Sequence, residues 1–287
     1  EMISNTFMAD DPDHLGNEIP LYEFFQRYEL SRDDYKILIA HARTLNIPLF
    51  STPFDDESLG QLVELGVPAL KIASPDLTYT PFLERVAETG LPVVLSTGMG
   101  SDEEIGEALQ ALSKANSVTL LHCVSNYPSR YEEMNLRCLA GLRQRFELPV
   151  GLSDHTLDNL SAVVAASLGA VMIEKHFTTD RNLPGVDQSI SIEPQELKNL
   201  KAGLVHINEI LGDDKKLIQP SEEPVKLSAR RSLVARMDIA AGTLLTAEMI
   251  AFKRPGIGIP PAELDGVIGK TCRQNLKEEQ VLTWDMF

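Results

Sequence analysis

Pro149-Val150-Gly151-Leu152-Ser153-Asp154-His155-Thr156 and Ala170-Val171-Met172-Ile173-Glu174-Lys175-His176-Phe177-Thr178 decide the fold. Each begins as a short apolar run and ends in a polar cluster containing a histidine. Between them, from Asp158 to Leu168, Leu160, Val163, Val164 and Leu168 recur at helical spacing. The pattern predicts strand, helix, strand, with both histidines where the strands give out. In parallel α/β proteins the carboxyl ends of the strands carry the chemistry. Two neutral imidazoles on adjacent strand ends are candidate ligands of one divalent metal.

The same alternation runs upstream. Apolar runs begin near residues 48, 69, 92, 118, 149 and 170, roughly one β-α unit apart. Ser31-Arg32-Asp33-Asp34 and Ser101-Asp102-Glu103-Glu104 read as capping boxes, Thr80-Pro81 as a helix start, and Gly66 and Gly90 as stops. Ile47 to Thr52 reads as the first strand, and Pro194 to Leu211 as one long helix stopped by Gly212. Near the start, Asp10 to Asp13 reads as a turn, and Leu21, Phe24 and Phe25 suggest a short amphipathic helix or an ordered loop. Nearly continuous apolar runs are those of a parallel sheet covered on both faces. A closed barrel needs eight strands and an open doubly wound sheet fewer, so six alone do not choose between them. No glycine-rich dinucleotide fingerprint follows any run, which counts against a Rossmann fold.

Asp213 to Pro224 is charged and proline-containing, and a different pattern begins near Leu227. The expected division is a barrel domain over 1–212, a linker over 213–226 and a small module over 227–287, short for an independent core. Of 287 residues 43% are hydrophobic, and the formal net charge is -16. That balance argues against general affinity for nucleic acid or an acidic membrane surface, though not against an anionic substrate in a local cationic pocket. No apolar run approaches the roughly 18 residues of a membrane span. Three widely spaced cysteines, Cys123, Cys138 and Cys272, give no disulfide framework and suggest a cytoplasmic setting.

Lys71 sits inside an apolar strand, where a lysine is costly unless paired or functional. It either pairs with a carboxylate on the next strand or, with Ser74, forms part of an anion site. Ser51, Thr52, Ser96, Thr97, Ser125 and Ser153 recur at strand ends as a rim of donors suited to phosphate or carboxylate. Asp187, in the loop Asn182 to Gln188, is either a solvated acid or a partner of a sugar hydroxyl or metal-bound water.

Taken in order, Ser51-Thr52-Pro53-Phe54, Lys71-Ile72-Ala73-Ser74, Leu95-Ser96-Thr97-Gly98-Met99, Leu121-His122-Cys123, Asn126-Tyr127-Pro128, Gly151-Leu152-Ser153-Asp154-His155-Thr156, Glu174-Lys175-His176-Phe177-Thr178 and Lys253-Arg254-Pro255-Gly256 resemble the bacterial sialic acid synthase family. That family includes legionaminic and pseudaminic acid synthases and spore-coat polysaccharide relatives. The resemblance implies a (β/α)8 TIM barrel followed by a C-terminal antifreeze-like (SAF) domain. It implies a transferase that condenses phosphoenolpyruvate with an N-acylated hexose, N-acetylmannosamine-like, giving a nine-carbon 2-keto acid and phosphate. By the same resemblance His155 and His176 hold a divalent metal, usually Mn2+, with Mg2+ or Co2+ as alternatives. Lys71 and Ser74 bind phosphoenolpyruvate, helped by Thr52, Ser96, Ser153, Asn126 and Tyr127. Asp187 contacts the metal-bound water and the sugar, and Arg254 reaches the N-acyl group from the partner subunit of a swapped homodimer. The family also begins with a strand bearing an acid and a strand bearing a lysine. Neither is found here, so the barrel is expected to lack its first two β-α units through N-terminal truncation. Gln188 stands where many members have histidine. Two other readings stay open: a phosphoenolpyruvate-dependent synthase acting on another aldose, and a non-catalytic carbohydrate-binding relative.

Overall fold

The computed structural model describes residues 8–10, 18–183 and 185–287. Most of the turn expected at Asp10 to Asp13 lies outside them. The chain divides into two compact units, residues 1–212 and 213–287.

The first unit opens with β1 (Met8–Asp10) and β2 (Glu18–Pro20), an antiparallel pair, followed by α1 (Leu21–Gln26). Then come α2 (Arg32–Thr44) and α3 (Asp56–Leu65). A parallel sheet follows, with strands β3 (Leu70–Ile72), β4 (Val93–Ser96), β5 (Val118–Cys123), β6 (Val150–Asp154) and β7 (Ile173–Lys175) hydrogen-bonded in that order. The helices α4 (Thr80–Glu88), α5 (Asp102–Ala111), α6 (Cys138–Phe146) and α7 (Leu160–Ser167) alternate with these strands, and α8 (Pro194–Val205) follows.

Local signals explain the helix boundaries. Ser31 and Asp34 cap each other reciprocally, as do Ser101 and Glu104, so each pair satisfies two orphan N–H groups. Gly66 ends α3 in the left-handed region, at φ 70°. Leu70, Ile72, Leu95, Leu120 and Leu152 are fully buried and join Phe82, Leu83 and Leu139 of the helices in one core.

Two elements depart from the sequence reading. Ile47 to Thr52 is not a strand: Ser51 makes one parallel bridge to Leu70, and its carbonyl accepts from Lys71 N–H at 3.1 Å. Pro48 removes a donor from that run, and among the described residues no strand pairs with its other side. The helix expected over 194–211 breaks at His206, whose N–H turns back to Gly203 O, and α9 (Ile207–Leu211) follows. Gly203, in the last turn of α8, weakens the helix where it breaks.

A flat sheet would hold β3 and β7 about 19 Å apart, four strand spacings. Instead Lys71 Nζ on β3 stands 3.7 Å from Glu174 Oε2 on β7. The sheet is therefore curled until its edge strands face each other across an interior, the geometry of a partial (β/α)8 barrel. Curling and close strand contact also need Gly151. A Cβ there would lie 2.5 Å from Met172 O and 2.7 Å from Leu121 Cδ2.

In the second unit, β8 (Ser232–Ala235) and β9 (Ile250–Lys253) pair antiparallel, with single bridges at Ile239–Leu276 and Leu244–Thr271. Leu233, Ile250, Val267, Leu276 and Leu282 form its own core. The stretch read as a linker carries a 3-10 turn at Pro220–Glu222 and the start of α10 (Glu223–Ala229).

Gly151→Ala pushes on the Met172 carbonyl that accepts from Leu152 N–H. We expect a loss of about 1–3 kcal/mol of stability by denaturant titration; an unchanged midpoint would contradict the close packing.

Candidate active site

Successive residues of a strand point to opposite faces, so Lys71, Ser153 and Glu174 share the interior while their neighbours point away. Lys71 is 8% exposed. Its ammonium donates to Ser96 Oγ at 2.8 Å and Ile72 O at 3.1 Å, and faces the Glu174 carboxylate. Burial pulls its pKa below the ordinary lysine value, and the nearby Glu174 charge only partly offsets this. Of the two sequence readings, pairing on the next strand is not what occurs: the carboxylate comes from the far edge. The other face of Glu174 accepts from Ser153 Oγ at 2.7 Å. Two hydrogen bonds, Lys71 to Ser96 and Ser153 to Glu174, are thus joined by the Lys71–Glu174 ion pair into one polar chain spanning the sheet.

Next to it stand the histidines. Their ring centroids are 5.3 Å apart, with the planes crossing at 75°. His155 Nδ1 lies 2.8 Å from Val124 O. A carbonyl only accepts, so Nδ1 carries the proton and Nε2 keeps its lone pair. Burial lowers the His155 pKa, which favours the neutral ring. His176 Nδ1 lies 3.3 Å from Asp187 Oδ2. That hydrogen bond holds the Asp187 carboxyl below its ordinary range despite partial burial. Each ring therefore has one nitrogen engaged by an oxygen, as metal-bound histidines do. Among the described residues no group of three or more His, Cys, Asp or Glu is arranged around a common ion. The donor set fits a metal held by two imidazoles, with its remaining positions open to water and substrate.

Tyr127 packs on both rings, 4.1 Å from His155 and 5.6 Å from His176 by centroid. Its loop is laced to the site. Ser129 N–H donates to His155 O, and Ser129 Oγ approaches Val124 O, the carbonyl that holds the His155 ring. Asn126 is turned elsewhere: its amide donates to Glu133 Oε2 at 3.1 Å, where the Arg130 hydrogen bond, seconded by this one, holds Glu133 at a pKa of about 2.

Ser74 Oγ accepts from Gly98 N–H at 3.0 Å. A Cβ at Gly98 would overlap Ser125 Oγ and lie 2.8 Å from Ser74 Oγ, so only glycine leaves this corner open. Ser125 Oγ is buried without a hydrogen-bond partner among the described residues. Thr97 does not join the rim; its hydroxyl donates to Leu121 O. Thr52 lines a cavity of about 830 Å³ that reaches Lys71 and Glu174 and is walled by Tyr35 and Phe50. Arg254 lies in the second unit, exposed, just after β9. Sequence reasoning did not single out Glu174 as the Lys71 partner, the Val124 carbonyl, or Asp76. The last is 8% exposed, with Oδ2 unpartnered among the described residues and its pKa raised by burial. Burial of an acid is set by packing with distant residues, a signal that local spacing does not carry.

Residues 2–216 match the NeuB family and residues 230–287 match the SAF domain. The chain belongs to the NeuB family. This NeuB-family chain is 39% identical to the N,N'-diacetyllegionaminic acid synthase of Campylobacter jejuni, over 93% of this chain and 81% of that protein. It is 38% identical to the enzyme of that name from Legionella pneumophila, over 92% and 76%. Among solved structures, the N-acetylneuraminic acid (sialic acid) synthetase of Leptospira borgpetersenii, in complex with citrate, superposes with a TM-score of 0.64 at 40% identity, covering 69% of this chain and 70% of that one. No helix among the described residues is long and apolar enough to cross a membrane.

The burial argument for His155 has a direct check. Without metal, the ring should titrate below its ordinary value of 6.5 in an NMR pH series. With its folded pKa depressed, its contribution to stability is complete above the unfolded value and is lost as pH falls through the folded one. A midpoint at or above 6.5 would contradict the neutral, buried ring.

Proposed function

We propose that this NeuB-family chain condenses phosphoenolpyruvate with an N-acylated hexose aldehyde, giving a nine-carbon 2-keto sugar acid and phosphate in the cytoplasm. The observation that carries the reading is that a buried cation and a pair of oriented, carbonyl- or carboxylate-held imidazoles converge inside one curled sheet. The names of the relatives, synthases of legionaminic and sialic acids, support it.

Phosphoenolpyruvate is multiply anionic and needs cations and donors. Lys71 takes one anionic group, exchanging part of its contact with Glu174 for a charge-assisted bond in a dry setting. Ser96 and Ser153, already bonded to Lys71 and Glu174, would supply further donors together with Ser74, and Thr52 lines the cavity that reaches Lys71. Holding both reactants in line is the main contribution of such residues. His155 and His176 would hold a divalent metal, Mn2+ in this reading with Mg2+ or Co2+ as alternatives, and when bound it supplies Lewis-acid polarisation of the aldehyde oxygen. Asp187, ionised at neutral pH, orients the sugar or a water by accepting its proton. Tyr127 covers the histidine pair, and Asn126 must release Glu133 to join it.

In the reaction the methylene carbon of phosphoenolpyruvate bonds to the aldehyde carbon, and the aldehyde oxygen gains a proton. Water adds to the phosphate-bearing carbon, with Glu174 the carboxylate placed beside Lys71 to accept its proton. The proton taken from water balances the one gained by the aldehyde oxygen. The carbon–oxygen bond to phosphate then breaks as the added hydroxyl becomes the ketone, its proton leaving with phosphate. Arg254 binds the N-acyl group from the partner copy in a swapped homodimer.

Phosphate release from phosphoenolpyruvate should require both an N-acylated hexose and Mn2+, and His176→Ala should abolish the metal-dependent rate. No release with any N-acylated hexose in a panel would overturn the proposal. Release with an unacylated aldose instead would move the substrate assignment. In mixed dimers, Arg254→Ala and His176→Ala subunits should complement; no recovery would refute the shared site.

A further inference from the structure

One buried charge pair has no part in the chemistry above. Asp154 and Lys175 are direct cross-strand partners of β6 and β7, one residue along from Ser153 and Glu174. They therefore point to the opposite face from the Ser153–Glu174 hydrogen bond. Their side chains are 0% and 4% exposed, and Lys175 Nζ stands 2.9 Å from Asp154 Oδ2. The same ammonium donates to Thr156 O and Asp158 O, each at 2.8 Å. All three of its protons are used. Asp154 Oδ1 in turn accepts from Thr156 N–H at 2.9 Å and Thr156 Oγ1 at 2.8 Å.

The consequence is geometric. The backbone from 154 to 158 is wrapped on a single cation, and His155 stands inside that wrap. The cation belongs to the residue immediately before His176. Both histidines therefore take their backbone positions from one ammonium group, which is shielded from salt and solvent. We propose that Lys175 is a positioning residue that sets the separation and ring orientation of His155 and His176. The metal-binding part of this inference rests on the reading of the histidine pair given above; the ring-orientation part does not.

A merely structural role is the competing explanation, because removing one member of a buried pair leaves an uncompensated charge. Two variants separate the two. Lys175→Met removes the cation alone. Asp154→Asn with Lys175→Met removes both charges but still leaves the Thr156 and Asp158 carbonyls without their donor. If Lys175 positions the histidines, the double variant recovers the melting temperature lost in the single one. Its Mn2+ affinity, by titration calorimetry, nevertheless stays about 10–100-fold below wild type, the range for lost support behind a metal ligand. In the metal-free protein, imidazole 15N shifts show His155 as the Nδ1–H tautomer in wild type and as a mixture in the double variant. A double variant with wild-type tautomer and wild-type Mn2+ affinity would overturn the proposal. Should wild type bind no Mn2+ in a His155-dependent way, the metal reading fails, and the 15N shifts alone decide whether Lys175 orients the ring. If neither variant folds, Lys175→Arg, which keeps the charge but replaces the three-proton ammonium on those acceptors with a planar group, provides the same two readouts: unchanged tautomer and affinity would again overturn it.

Discussion

A lysine ammonium on the first strand of the sheet meets a carboxylate on the fifth, and most of the molecule's behaviour follows from that contact. Lys71 and Glu174 approach to 3.7 Å only because the sheet curls. The curl gives an interior, and the interior is where a charge is expensive. Lys71 is held there by Ser96, a main-chain carbonyl and Glu174, and burial still depresses its pKa. Such a cation is incompletely satisfied and therefore receptive to an anion. Glu174 then links it through Ser153 to the strand that ends in His155. Anion end and histidine end are parts of one bonded assembly rather than two neighbouring features.

The net charge of -16 belongs to the surface, where it says little about that interior. Locally the order is reversed: a cation at one end, two rings with lone pairs at the other, and acids engaged as acceptors between and behind them. Asp187 holds His176, and Val124 O holds His155. A second, outward-facing layer, Asp154 with Lys175, ties the same two strand ends together.

Much of this was legible in the sequence where the governing physics is local. Capping boxes at Ser31 and Ser101, the proline after Thr80 and the left-handed Gly66 are decided within a few residues, and they fall where expected. The apolar runs of β3, β4 and β6 were readable because strands buried on both faces need no alternation. What escaped is what depends on distant partners. The run from Ile47 to Thr52 has strand composition, but a strand exists only where ladders form, and Ser51 finds one bridge. The partner of Lys71 lies far along the chain and arrives by curling. Asn126 reads as a site amide, yet the Arg130–Glu133 pair claims it. His206 breaks a helix whose apolar periodicity continues through it.

The central claim is that one interior holds both the anion and the metal. Crystals grown with Mn2+ and phosphoenolpyruvate, measured at the manganese absorption edge, test it most directly. The account predicts one anomalous peak between His155 and His176, with phosphoenolpyruvate bound to Lys71 in the same enclosure. Manganese bound away from the two histidines, or phosphoenolpyruvate bound away from Lys71, would contradict it.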